Sequence, residues 1–287
     1  MPITLLSSYK ISTLPVYGAT MGFNFEQLTQ HYFPPSGFVY LNMFPVTQPA
    51  SSPYPANEFI IPWKIASYNG LVKSGQIAVG GLLTQGPVLM EVKGSGQWAV
   101  LVLHPVIAYH FIRERLNVVT NNFADLCDLM VKEGAFFKPQ IEDGFIHSWQ
   151  DELVLKFLLN RIGEKSRWQE DPIFHAVNII ITKKGLIKVR ELAKQVCMSE
   201  RNLERQFLEK VSVSPKTYAN IWRFQYAIDL LKFRGIHLLG EIADQSGYYD
   251  IPHFIKDLKQ KTGDGFEYFF RQTPELLQVF QEVIREK

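Results

Sequence analysis

The chain has 287 residues, of which 46% are hydrophobic and 20% are charged, and this balance excludes an intrinsically disordered protein. No stretch approaches the roughly 20 apolar residues that a membrane-spanning helix needs, and no basic segment precedes the first apolar residues. We therefore expect a cytoplasmic protein of about two domains, with neither a membrane span nor a secretory signal.

The net charge of +2 is unevenly distributed along the chain. Residues 1–165 carry 11 basic and 12 acidic side chains, residues 166–234 carry 13 and 7, and residues 235–287 carry 6 and 9. A basic block in the middle of the chain is typical of a surface that contacts phosphate groups. A solvated helical surface would explain the charge alone equally well.

The first half of the sequence predicts strands. Short apolar runs are separated by Gly and Pro, a pattern typical of a β-sandwich or barrel-like domain, at residues 37–45, 58–66, 75–83, 87–94 and 96–105. Helical spacing follows at 111–116, 123–130 and 148–161, and a polar segment at 163–170 predicts a linker. We expect residues 1–165 to form a β-rich domain with flanking helices.

The second half predicts helices with clear boundaries. Asp171 and Pro172 begin a helix that ends at Gly185, and a second helix covers 189–196. Ser199 begins a third that runs to Lys210, and Ser214 with Pro215 begins a long fourth that ends at Gly235. Shorter helices follow at 241–246, from Asp250 to Gly263, and at 275–286. Apolar spacing assigns these residues to the core: Leu203, Phe207, Val211, Tyr218, Trp222, Ala227, Ile228, Leu231, Phe254 and Leu258.

One pattern occurs twice in this helical half. Leu192, Ala193 and Cys197 recur as Ile242, Ala243 and Gly247, fifty residues later. After one inserted residue the spacing becomes 51, and the apolar residues Leu203 and Phe207 recur as Phe254 and Leu258. Such similarity indicates a duplicated unit of two short helices joined by a tight turn. The small alanine allows the helix backbones to approach, and the turn residue needs unusual backbone freedom. The outer face of each second helix could then enter a DNA major groove.

Residues 171–272 resemble the AraC/XylS family of bacterial transcriptional regulators. The resemblance rests on DPIFHAVNIIITKKG, VRELAKQVCMSERNLERQF, VSVSPKTY, LLGEIADQSGYYD and HFIKDLKQKTG, with Arg223 and Ala227 on the long helix. It implies seven helices with two helix-turn-helix units that bind successive segments of double-stranded DNA. The chain departs from the family at Ser212, where glycine is usual, and at residues 263–268, which lack the usual proline.

The resemblance and the chemistry of the side chains together predict the DNA-binding residues. On the first reading helix they are Ser199, Arg201, Asn202, Glu204, Arg205 and Gln206. On the second they are Asp250, Ile251, Pro252, Ile255 and Lys256. Phosphate contacts are predicted at Lys188, Lys194, Lys216 and Lys259. Because the second helix has few hydrogen-bonding groups, carries Asp257 and lies in an acidic segment, we expect the first unit to dominate DNA affinity.

The N-terminal half resembles a β-rich domain of unassigned function that some AraC-like regulators carry. The resemblance rests on PPSGFVYLNMF, AVGGLLTQGPVLMEVKG and AVLVLHPVIAYHFI. It implies sensing of a small-molecule effector or formation of a homodimer, and RNA polymerase would be a partner of an activator. An apolar ligand pocket is one interpretation of Phe38, Tyr40, Trp63 and Trp98, and ordinary packing is the other.

Patterns of catalysis and metal binding are not found in the sequence. The two cysteines, Cys127 and Cys197, lie far apart, so we expect no disulfide or zinc site and two buried thiols. Four histidines lack nearby carboxylates at metal-binding spacing: His31, His104, His110 and His147. We expect neither an enzyme nor a cofactor. Two further interpretations stay open: an N-terminal domain that only binds other proteins, and a small-molecule-binding module with a degenerate helix-turn-helix.

Overall fold

The computed structural model describes two regions, one rich in strands and one made of helices. It describes residues 4–10, 16–33, 35–43, 60–65, 68–73, 77–84, 88–112, 115–130, 160, 166–234 and 238–262. The predicted helix at 275–286 lies outside them, as does all but residue 160 of the predicted helix at 148–161.

The N-terminal region contains one antiparallel sheet. Its strands are β1 (Thr4–Lys10), β2 (Val16–Phe33), β3 (Val39–Met43), β4 (Ile60–Ile65), β5 (Tyr68–Lys73), β6 (Ile77–Gly80), β7 (Val88–Leu103) and β8 (Phe123–Asp125). The order along the sheet is β1-β2-β7-β3-β6-β8, and β4 pairs with both β5 and β7. The described strands therefore form an open sheet with β1 and β8 at its ends. The predicted α+β organisation, strands followed by a helical region, is confirmed.

Strand β7 joins two segments that the sequence separates. The predicted strands 87–94 and 96–105 form one strand, in which Ser95 pairs with Asn24 and Gly96 with Phe23 of β2. The long partner strand supplies hydrogen bonds across the glycines, so no turn is needed there. Strands β1, β2 and β5 were not predicted, because their mixture of polar and small residues gives little local signal.

Short helices cover part of this sheet. Helix α1 covers Pro105–Ile112 and therefore includes only the first two residues of the helix predicted at 111–116. A 3-10 helix follows at Leu116–Val118. The predicted helix 123–130 is wrong at its start, because its first residues pair with β6 as β8, and α2 covers only Leu126–Leu129. In the predicted linker, Ser166–Glu170 is a 3-10 helix that buries Trp168. This part of the linker is packed, and the domain boundary near residue 165 stays a prediction.

The helices of the second region lie close to their predicted bounds. They are α3 (Pro172–Thr182), α4 (Val189–Gln195), α5 (Glu200–Val211), α6 (Pro215–Arg234), α7 (Leu239–Gln245) and α8 (Ile251–Thr262). The predicted caps form: the side chain of Asp171 accepts a hydrogen bond from the Ile173 N–H, and Ser199 accepts one from the Asn202 N–H. Gly185 has a φ of +74°, and its missing Cβ leaves room for the Ala219 carbonyl of α6.

Two hydrophobic cores divide the molecule at a place that the sequence does not mark. The first core joins the sheet and α1 to α3, α4, α5 and the first half of α6. The second contains the remaining half of α6 with α7 and α8. All ten core positions predicted for the helical half are buried. The division between the cores lies within α6, between Trp222 and Phe224, so the first helical unit packs together with the N-terminal sheet.

Candidate nucleic-acid interface

The two predicted units have the same local structure. Helices α4 and α7 have seven residues each, and α5 and α8 have twelve. The residue that starts each turn, Cys197 or Gly247, has a φ of 54° or 69°, in the left-handed region. The next residue donates its N–H to the carbonyl of Ala193 or Ala243 over 2.9 Å in both units. The predicted duplication is therefore a repeated helix-turn-helix geometry.

Cysteine in the first turn adopts a conformation that favours glycine. Cys197 is exposed and Cys127 is partly buried, so the expectation of two buried thiols is wrong. The reason is the turn itself, which directs the Cys197 side chain to solvent while Ala193 stays 2% exposed between the helices. Ser212, where the resemblance leads us to expect glycine, has a φ of 74°, in the left-handed region that favours glycine.

The first reading helix, α5, separates an apolar face from a polar one. Leu203, Phe207 and Val211 are fully buried, whereas Arg201, Glu204 and Arg205 are exposed. This is the arrangement that a helix needs in order to pack on its own unit and present hydrogen-bonding groups to base edges.

A ladder of hydrogen bonds runs along the polar side of α5. The Asn202 side-chain oxygen accepts from the Arg205 guanidinium at 3.0 Å and from the Gln206 amide at 3.3 Å. The Gln206 oxygen accepts from Lys210 at 3.3 Å, and Arg205 also lies 3.7 Å from Glu209. Three of the predicted reading residues, Asn202, Arg205 and Gln206, are thus hydrogen-bonded to one another, which reduces the conformational entropy that they lose on binding.

The second reading helix, α8, presents a different surface. Asp250 caps the helix by accepting from the His253 N–H at 2.7 Å, and Ile251, Pro252 and Lys256 are exposed. Ile255 is half-buried against the second core, so only part of it can reach DNA. Two exposed residues at this end, Tyr249 and His253, are absent from the predicted set. Tyr249 directly precedes the cap residue Asp250, and His253 lies three residues after it, so their positions at the start of the helix could have been used to predict them.

Asp257 of α8 is held away from the exposed surface. Its carboxylate accepts hydrogen bonds from the Tyr248 hydroxyl and from Lys261, both at 2.7 Å. Burial raises the pKa of Tyr248, and the neighbouring carboxylate raises it further. Burial also lowers the pKa of Lys261, against the opposing effect of Asp257. The negative charge of Asp257 is therefore compensated within the unit.

The predicted phosphate-binding lysines lie at the surface where the structure describes their side chains. Lys188 is the residue before α4, Lys194 is in its last turn, and Lys216 is in the first turn of α6; all three are exposed. The side chain of Lys259 lies outside the described residues. Near the second turn, the Arg223 guanidinium lies over the Tyr248 ring, 4.7 Å from its centroid.

An ionic cluster attaches the N-terminal region to the first reading helix. The Asp171 carboxylate lies 3.0 Å from His110 of α1 and 2.6 Å from Lys210 of α5. Burial alone would raise the pKa of Asp171, but hydrogen bonds from His110, Lys210 and the Ile173 N–H lower it to about 2. The sequence predicts Asp171 only as a helix cap, because its two side-chain partners lie 61 and 39 residues away.

Further contacts extend this junction. Tyr109 of α1 donates to Glu209 at 3.3 Å, and the hydroxyls of Thr120 and Ser212 are 2.5 Å apart. On α6, the Tyr218 hydroxyl donates to the Gly37 carbonyl at 2.9 Å. The N-terminal region therefore contacts both the reading helix and the helix that connects the two units.

The residues predicted as a ligand pocket lie in different surroundings. Phe38 is buried against Trp222, with ring centroids 5.3 Å apart, and so belongs to the junction between the two regions. The Tyr40 hydroxyl is hydrogen bonded to Ser36, and burial raises its pKa. In the sheet, Trp63 lies opposite Gly70 of β5 and Met90 of β7, and Trp98 lies opposite Met21 of β2. The structure does not describe the side chains of these two tryptophans. The pocket stays a prediction.

Comparisons with known proteins agree with this geometry in the helical region. Residues 192–272 match the family described as "Helix-turn-helix domain". The "Uncharacterized HTH-type transcriptional regulator YidL" of Escherichia coli (strain K12) is 37% identical over 75 residues. That alignment covers 26% of this chain, and the chain spans about a quarter (25%) of the length of that relative.

Solved structures of ToxT from Vibrio cholerae are similar over most of the chain. The structure with bound unsaturated fatty acid has a TM-score of 0.45 at 12% identity, covering 90% of this chain and 96% of that one. The structure bound to (E)-4-(8-methylnaphthalen-1-yl)but-3-enoic acid has a TM-score of 0.46 at 14% identity, covering 90% and 99%. The repeated turn geometry and the family match at 192–272 together show that the C-terminal region of this chain contains a helix-turn-helix domain.

Proposed function

We propose that this protein is a transcriptional regulator that binds double-stranded DNA sequence-specifically. The observation that carries the proposal is the repeat of one helix-turn-helix geometry, with the same turn hydrogen bonds and a solvent-facing second helix in both units. A helix exposed in this way fits the B-DNA major groove, and α6 connects two such helices so that they can address successive segments.

The side chains of α5 support direct reading of bases by the first unit. Arginine can donate two hydrogen bonds to guanine, and glutamate can accept one from cytosine. Arg201, Glu204 and Arg205 are exposed on this face, next to the exposed Leu208. Lys188, Lys194 and Lys216 supply exposed positive charge nearby in the sequence, and such lysines position a protein on phosphates without reading the sequence.

The test is selection of bound duplexes from a random pool with the full-length protein, followed by titration of the enriched sequence. We expect Arg201→Ala and Arg205→Ala each to cost about 1–3 kcal/mol on that sequence. Lys183→Ala is the matched control, because it removes one exposed cation at the end of α3, outside both reading helices. It should weaken binding slightly and equally on all sequences.

Salt dependence separates DNA binding from a protein-interaction surface with the same fold. A protein that neutralises several phosphates loses affinity steeply as salt rises, because bound counterions are released. Between roughly 50 and 200 mM salt we expect the affinity for DNA to fall by orders of magnitude, because each phosphate contact releases a bound counterion. Absence of any enriched sequence, or a flat salt response, would contradict the proposed function.

The N-terminal region has a role in regulation under this proposal. Its contacts with α5 and α6 mean that an effector or a second copy bound to the sheet could alter the first reading helix. A small molecule acting in this way should stabilise the full chain against thermal unfolding and change its affinity for the selected duplex in the same titration.

A further inference from the structure

The two reading helices carry different chemistry at equivalent positions. Helix α5 begins at Glu200 and α8 begins at Ile251, and both have twelve residues, so their positions correspond at a spacing of 51. At this spacing Arg201 corresponds to Pro252, and Glu204 to Ile255. At these two positions the first helix offers hydrogen-bonding groups and the second offers apolar ones, whereas Arg205 corresponds to another cation, Lys256.

The apolar residues at the start of α8 lie in solvent. Tyr249 is 92% exposed and Ile251 is 43% exposed, while the adjacent Tyr248 is only 4% exposed. Among the residues with described burial, five large hydrophobic side chains are exposed, and two of them are these near neighbours. We call Tyr249, Ile251 and Pro252 the apolar edge of the second unit. Packing among the residues that the structure describes does not account for its composition.

The charges around the apolar edge are compatible with DNA. Lys256 lies one helical turn after Pro252 and is exposed. The Asp257 carboxylate is instead turned toward Tyr248 and Lys261, at 2.7 Å from each. The surface that would meet a duplex thus has an exposed cation at Lys256. The exposed carboxylate adjacent to it in the apolar edge is that of Asp250, which caps α8 by accepting from the His253 N–H at 2.7 Å.

The major groove offers one apolar group on the base edges, which is the C5 methyl of thymine. We propose that the apolar edge of α8 recognises thymine through these methyl groups, so the second unit selects its half of the site by apolar contact. This inference rests on the proposed function and adds the base that the second unit selects. It also accounts for a reading helix with few hydrogen-bonding side chains.

The experiment uses the full-length protein and the duplex enriched from the random pool. Each thymine is replaced in turn by deoxyuridine, which lacks only the methyl group. We expect one or two positions, all in one half of the site, to lose about fourfold in affinity, as removal of one buried methyl group predicts. Ile251→Ala or Tyr249→Ala should remove that sensitivity, because the partner of the methyl group is then absent.

Val118→Ala is the matched control, since Val118 is 49% exposed and lies in the N-terminal region. It should retain the wild-type response to deoxyuridine. The inference is overturned if the duplex binds tightly but tolerates deoxyuridine everywhere, or if both variants of the apolar edge keep the full response. Either result leaves the proposed function intact, whereas failure to enrich any duplex overturns both.

Discussion

The two helix-turn-helix units share their local geometry but not their surroundings. The first unit shares one hydrophobic core with the N-terminal sheet. Its reading helix contacts α1 through Glu209, and Lys210 binds Asp171, which is also bound by His110 of α1. The second has a core of its own, made with the end of α6. A duplicated sequence thus gives two equal local structures, and the tertiary contacts make one of them part of a larger folding unit.

The largest effect is expected when one buried phenylalanine is removed from either unit. Phe207 of α5 and Phe254 of α8 are both fully buried in the core of their own unit, so truncation to alanine should cost about 3–5 kcal/mol in either unit. We expect Phe207→Ala to speed amide hydrogen exchange in β3 and β6 as well as in α3–α5, because they share its core. Phe254→Ala should speed exchange in α7, α8 and the end of α6 only.

Mass-spectrometric hydrogen exchange of the two variants gives the comparison directly, since each serves as the control for the other. Faster exchange in β3 or β6 of Phe254→Ala would show that the second unit is not a separate core. An unchanged sheet in Phe207→Ala would show that the first unit is not joined to it.

A smaller effect is expected from the ionic cluster. The pKa of Asp171 falls from its ordinary value of 3.8 to about 2 in the folded chain, so its ionised form stabilises the fold. That stabilisation is fully present above the unfolded pKa and is lost as the pH falls through the folded one. It amounts to about 2 kcal/mol from the size of the shift.

Urea unfolding of the wild type and of Asp171→Asn checks this expectation, because asparagine retains the capping ability but not the charge. The variant should be less stable by about 2 kcal/mol at neutral pH, and the difference should shrink between about pH 4 and pH 2. Other carboxylates titrate in the same range in both proteins and therefore cancel. A difference that is constant with pH would show that the cluster stabilises through packing alone.

The smallest effect concerns the hydrogen bond from Tyr109 to Glu209. At 3.3 Å and partly exposed, it should contribute about 0.5–1 kcal/mol to stability, which Tyr109→Phe would remove. Because Glu209 also lies 3.7 Å from Arg205, we expect the variant to shift DNA affinity by a small factor. Tyr226→Phe on α6, whose ring lies beneath Lys184, is the control and should leave affinity unchanged. Equal affinities for the two variants would argue against coupling through Glu209.

The helical region could be predicted almost residue by residue because its signals are local. The caps at Asp171 and Ser199, the left-handed turn at Gly247 and the apolar spacing of α5 all act within one or two helical turns. The exposed face of α5 followed from the same periodicity. The solvent-facing Cys197 was mispredicted because the general tendency of cysteine to be buried was applied to a turn position.

Local patterns were enough to predict two helix-turn-helix units and the bounds of their second helices, because helix caps and apolar periodicity act over a few residues. Three features emerge only from long-range contacts: β7 is one strand, the cores divide inside α6, and Asp171 joins α1 to α5. Each of these depends on partners dozens of residues apart. The free energy of such contacts comes from burial and charge pairing that exist only after the chain has folded.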